Sequence, residues 1–182
     1  MVTERPVPSK AALLEALRAS EREVLARLRS LPETELEQGR YENGWNARQI
    51  LAHIASIEWS YPRLIDIARQ APSPGANATP AEAGQGDRQE PSGTRTATAR
   101  GGIDDYNQRQ VEKRADASVE ELLAEFQKNR AATIAAVEAV DEALLTTPIR
   151  SAGGISGALA GVIDAIAIQH IMAHVNDIAG PH

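Results

Sequence analysis

Four histidines are spread over 182 residues, and two of them, His170 and His174, lie four apart in the apolar stretch Gln169-His170-Ile171-Met172-Ala173-His174-Val175-Asn176-Asp177-Ile178. An α-helix turns once in about 3.6 residues, so both imidazoles would stand on one face, on successive turns. Nitrogens so placed can close on one divalent metal ion. A third, His53, lies in another apolar stretch beside Ile50 and Ile57. The fourth, His182, is the last residue and is expected to fray. Three protein nitrogens on a metal leave one position for water or substrate, the arrangement of catalytic rather than structural sites. The same three rings could instead form a hydrogen-bonded core cluster.

The neighbouring residues exclude several chemistries. A zinc-protease pair needs glutamate directly after the first histidine, and Ile171 stands there. A di-iron bundle needs glutamate three residues before the histidine, and that position is Ala167. A mononuclear site is the better fit. Asp177 follows His174 by three residues and shares its face. It is a candidate fourth ligand, a hydrogen-bond partner to a ligand or an acid–base catalyst, against the plainer reading of a solvated carboxylate. Glu58 points away from His53 by helical phase, Trp45 and Trp59 read as packing residues, and Tyr106 and Asn107 either cap a pocket or anchor a short helix. There is no Gly-x-Ser-x-Gly, and the glycines from Gly153 to Gly157 lack the Gly-Lys-Ser/Thr of a phosphate loop.

The chain has no cysteine, which excludes disulfides and thiolate sites. Its net charge is -6 without a basic run, so nucleic acid and anionic membranes are not expected partners. No uninterrupted apolar run approaches the ~18 residues of a membrane span. The first residues show no charged-then-apolar secretory pattern, and a cytoplasmic protein is expected.

Hydrophobic content of 42% with only 3% aromatic residues favours helices. One is expected from Ser9 to Leu31, with Leu14, Leu17, Val24, Leu25 and Leu28 on its stripe and a gap at Glu21. Leu36 to Gly44 reads as loop. A second helix, capped by Asn46, is expected to Gln70 with a kink or break at Pro62. Ala71 to Gly102 is rich in Pro, Gly and Ala, and reads as a draped linker or a lid. A short helix from Ile103 to Arg114 follows. Ser118 and Glu121 then form a capping box opening a helix to Val140. Thr146 to Gly154 reads as loop, and a last helix spans Ile155 to Ala179. Four long helices without a convincing strand make an all-α four-helix bundle in one domain.

Gly44-Trp45-Asn46-Ala47-Arg48-Gln49-Ile50-Leu51-Ala52-His53-Ile54 resembles the helix-two signature of the DinB-like superfamily, which includes the metal-binding domain of mycothiol-dependent maleylpyruvate isomerase. Asp104-Asp105-Tyr106-Asn107 resembles the start of its third helical region, and His170-x-x-x-His174 with Asp177-Ile178 resembles its last helix. The motifs are short, and their order along nearly the whole chain carries the likeness. The resemblance implies up-down-down-up topology with a long crossover between helices two and three. It also implies that His53, His170 and His174 hold a divalent metal, zinc or nickel. Characterised relatives include thiol-dependent transferases and isomerases and a proposed hydrolase. The 32-residue crossover departs from the pattern and puts substrate access in doubt.

The expectation is a metal-dependent enzyme that activates water or an external low-molecular-weight thiol toward a small-molecule substrate. The alternative is a non-catalytic metal-bearing bundle that binds a small ligand or a partner. A homodimer is compatible with either.

Overall fold

The computed structural model describes residues 6–41, 44–71 and 102–180. The expected crossover therefore lies, apart from its end residues, outside the described residues, as does His182.

Helix α1, Lys10–Arg29, starts where Ser9 accepts the Ala12 amide on its hydroxyl at 3.3 Å. Its buried row runs through Leu13, Leu17, Ser20, Val24 and Leu28. This corrects the expected stripe at its N-terminal end, since Leu14 is only half-buried and Leu13 fills the core position. Ser20, not an apolar residue, fills the gap beside Glu21. After Pro32 the chain makes one unexpected turn, α2 (Glu33–Leu36), anchored by buried Leu36.

Asn46 and Gln49 close a reciprocal capping box, both bonds 2.9 Å, that opens α3 (Ala47–Glu58). The break at Pro62 is complete: α4 (Pro62–Gln70) begins with that proline in its first turn, where a missing N–H costs nothing. Helix α5 spans Gly102–Glu112 with Asp104 and Asp105 at its positive end. Ser118 and Glu121 form the expected capping box of α6 (Val119–Glu138), and a single turn, α7 (Glu142–Leu145), follows.

The expected loop and the start of the last helix need correction. Strands β1 (Pro148–Arg150) and β2 (Ser156–Ala158) pair antiparallel with Ile149 opposite Gly157. The turn is closed by the Ser151 amide on the Ile155 carbonyl (2.8 Å) and the Ile155 amide on the Ser151 hydroxyl (3.0 Å). Three-residue strands are too short for a visible alternation, which hid them. The last helix begins only at Leu159. It consists of α8 (Leu159–Ile163), a π-helical segment (Asp164–Gln169) and α9 (His170–Ala179).

The fold is mainly helical. Helix α6 packs on α3 and α1, α3 on α5 and α9, and α1 on the π segment and α9, while the hairpin lies against α4 and α8. Among the described residues, one helical run, Leu159–Ala179, is long and apolar enough to cross a membrane. Its apolar content is used in the core: Leu159, Ile163, Ala167, Ile171 and Val175 are all buried.

The core has two apolar halves. One gathers Leu13, Leu17, Tyr61, Ile65, Val137, Ile149, Leu159 and Ile163. The other gathers Val24, Leu28, Trp45, Ile50, Ile54, Leu122, Phe126, Ile171 and Val175. Between them in sequence, on α1, α3 and α6, stand Ser20, Glu58 and Arg130, all buried. The Arg130 guanidinium grips both Glu58 oxygens at 2.7 and 3.0 Å. Its other bonds reach the Leu17 carbonyl, the Ser20 hydroxyl and the Ala167 carbonyl at 3.1, 2.7 and 2.5 Å. Burial pushes the Glu58 carboxyl upward from its ordinary range, and the guanidinium offsets part of that.

Candidate metal centre

His53 sits in the second turn of α3, which the Asn46 cap starts and buried Ile50 and Ile54 hold against the core. It is 4% exposed. His170 is the first residue of α9 and is half-buried; His174, one turn on, is buried beside Val175. The packing of α3 on α9 brings the three together. The His53 ring centroid is 5.8 Å from that of His170 and 5.2 Å from that of His174, nearly perpendicular to both. His170 and His174 stand 4.4 Å apart, with their Nε2 atoms at 3.2 Å. One nitrogen from each ring lies within 4.8 Å of the others.

His53 has the protonation that a metal requires. Burial, and then the proximity of His174 and His170, push the His53 imidazole from 6.5 down to about 3, so it is neutral at physiological pH. Neutral imidazole is the ligating form. The buried Nδ1 of His53 has no hydrogen-bond partner among the described residues. An unsatisfied buried nitrogen is costly, and a ligand that takes up ring nitrogens relieves such a cost. The spacing also fits. Two nitrogens at about 2.0–2.1 Å from one tetrahedral zinc are roughly 3.3 Å apart, against 3.2 Å between the Nε2 atoms of His170 and His174. The residues present therefore fit a mononuclear divalent metal.

The surroundings add what the sequence did not show. Trp45, read as a packing residue, lies against His53 with ring centroids 5.2 Å apart. Its indole N–H donates to the Gln108 side-chain oxygen of α5 at 2.8 Å. It thus links His53 to the helix that carries Tyr106 and Asn107. The Asn107 side-chain oxygen is buried without a hydrogen-bond partner. Asp177 is exposed, and the convergent group contains imidazoles alone. Glu58 does point away from His53, but into the Arg130 pair rather than to solvent. Burial of both charges follows from tertiary packing, which no local pattern announces. A cleft of about 600 Å³ beside Leu28, Arg48, Ala117 and Leu123 does not include the three histidines. Of the three histidines, His170 is the least buried.

No curated protein and no solved structure matches the chain significantly. The family model of the DinB superfamily matches residues 16–178, a span that contains all three histidines and every long helix but the first turns of α1. The chain belongs to the DinB superfamily.

Proposed function

We propose that the protein holds a divalent metal, zinc or nickel, on His53, His170 and His174, and acts as a metal-dependent enzyme on an external low-molecular-weight thiol or on water, in a transferase, isomerase or hydrolase reaction. The convergence of three histidines from two helices, two of them with Nε2 atoms 3.2 Å apart, carries this reading. When bound, the metal supplies Lewis acidity, which makes water or a thiol acidic near neutral pH. The chain contributes the rest. Neutral His53 presents a lone pair without first losing a proton. Trp45 packs on its ring and is itself fixed by Gln108. His170, the least buried of the three, is the side from which a small substrate would approach in this reading. With no cysteine in the chain, any thiol comes from a cosubstrate. Asp177, one turn beyond His174, is the acid–base candidate on this helix. In the same reading the long helices form an up-down-down-up bundle, the protein works in the cytoplasm on a small molecule, and a homodimer is compatible with it.

The imidazole-only composition of the cluster favours the second reading, a metal-bearing module that captures a small ligand without turnover. Thiol-transfer assays of the metal-loaded protein with glutathione, mycothiol and bacillithiol and model electrophiles separate the two. The enzyme reading expects turnover that His53→Ala abolishes together with the bound metal. Stoichiometric metal with no turnover on any thiol, or on hydrolysable esters and amides, leaves the binding module.

A further inference from the structure

The last helix buries Leu159, Ala160, Val162, Ile163, Ala167 and Ile168 ahead of His170, and Ile171, His174 and Val175 beyond it. The two sets face different halves of the core. A residue of an α-helix turns by about 100°, so a change in residues per turn partway along shifts the direction of every side chain beyond it. The π-helical segment Asp164–Gln169 takes more residues per turn. It ends directly before His170, so the rotation it sets is the rotation at which His170 and His174 leave the helix.

Departures from the α ladder persist where other groups bond the backbone. Two consecutive carbonyls inside this segment are taken by side chains from elsewhere. The Tyr61 hydroxyl, from the turn before α4, donates to the Ile166 carbonyl at 3.0 Å. The Arg130 guanidinium of α6 donates to the Ala167 carbonyl at 2.5 Å. Arg130 is fixed in turn by both oxygens of Glu58, which belongs to the helix that carries His53. One anchor therefore grips both ligand-bearing helices.

We propose that Tyr61 and Arg130 are positioning residues that hold the π segment through the Ile166 and Ala167 carbonyls, and so set the rotation of His170 and His174 toward His53. Their role toward a metal rests on the proposed function; their role in the rotation does not.

The test compares the wild-type chain with Tyr61→Phe, which removes one hydroxyl, and Arg130→Lys, which keeps the charge opposite Glu58 and loses the fork. The first readout is the imidazole nitrogen–proton correlation spectrum of the metal-free proteins, with the Trp45 indole signal as internal reference. The second is titration with cobalt(II), followed by its visible absorption. The proposal expects the His170 and His174 ring signals to move in Tyr61→Phe, with faster amide exchange over residues 166–171. It also expects cobalt(II) affinity to fall by about tenfold, and further in Arg130→Lys. Should Arg130→Lys fail to fold, Tyr61→Phe decides alone. Unchanged ring signals and unchanged exchange in a folded Tyr61→Phe protein overturn the proposal. A wild-type chain that binds no cobalt(II) overturns the metal reading instead, and the ring signals still decide the rotation.

Discussion

Arg130 and the three histidines are polar groups in the same apolar interior, and their surroundings complete them differently. Each of the five N–H donors of a guanidinium can be placed at Arg130: two on Glu58 and one each on Leu17, Ser20 and Ala167. The charge is matched by a buried carboxylate. At the other place three imidazoles face one another, and among the described residues the group holds no acid and the buried His53 Nδ1 has no hydrogen-bond partner. The first arrangement is complete within the chain. The second gathers electron-pair donors and keeps His53 neutral, which suits a cation from outside. Position alone does not decide what a buried polar group is for; completeness does.

Cutting the Arg130 pair should have the largest effect. Arg130→Met leaves Glu58 buried without a counter-charge, and denaturant unfolding should show a loss of about 3–5 kcal/mol. A loss below about 1 kcal/mol would mean that water or relaxation reaches the layer, and that it is not the closed unit described.

The histidine cluster should instead reveal itself by pH. In the metal-free chain the folded His53 titrates at about 3 and the unfolded at 6.5. Between those values the unfolded chain binds a proton that the folded chain does not. Stability is therefore full above the upper value, falls by about 1.4 kcal/mol per pH unit below it, and stops falling from this source at the lower value. Unfolding of wild type and His53→Gln across that window should differ by this slope, and parallel profiles would show that His53 is not neutral in the fold.

Helix α3 carries His53 at its middle and Glu58 as its last residue, so its N-terminal cap lies closer to the first region than to the second. Asn46→Ala should cost about 1 kcal/mol and weaken metal retention at His53 more than it disturbs the Arg130 layer, as amide exchange along α3 would report. The smallest effect is expected at Asp177. It is exposed, and Asp177→Asn should change stability by no more than about 0.5 kcal/mol and leave metal affinity alone. A strong loss of affinity would make it a ligand.

The sequence made the helix starts and the histidine pattern legible because both are local. Asn46 and Ser118 each cap the helix they were expected to cap, and Ser9 caps the helix expected to begin there. His170 and His174 share a face by spacing alone; His53, in another apolar stretch, stood out as a third nitrogen donor, and the family resemblance matched all three to one site. What stayed hidden depends on distant partners. Glu58 and Arg130 look like solvated charges until packing buries both. The indole of Trp45 gained its place against His53 from tertiary structure. The π segment stayed hidden as well, since the side chains that bond its Ile166 and Ala167 carbonyls come from distant Tyr61 and Arg130.

If completeness separates the two regions, the histidines take up a metal and the Arg130 layer does not. Titration of metal-free, untagged protein with zinc and nickel tests it most directly, with the stoichiometry read by calorimetry and metal analysis. Wild type should bind one metal per chain, retained in Asp177→Asn and lost in His53→Ala and His174→Ala while those variants stay folded. Absence of stoichiometric metal in wild type, or affinity unchanged in His53→Ala, would contradict it.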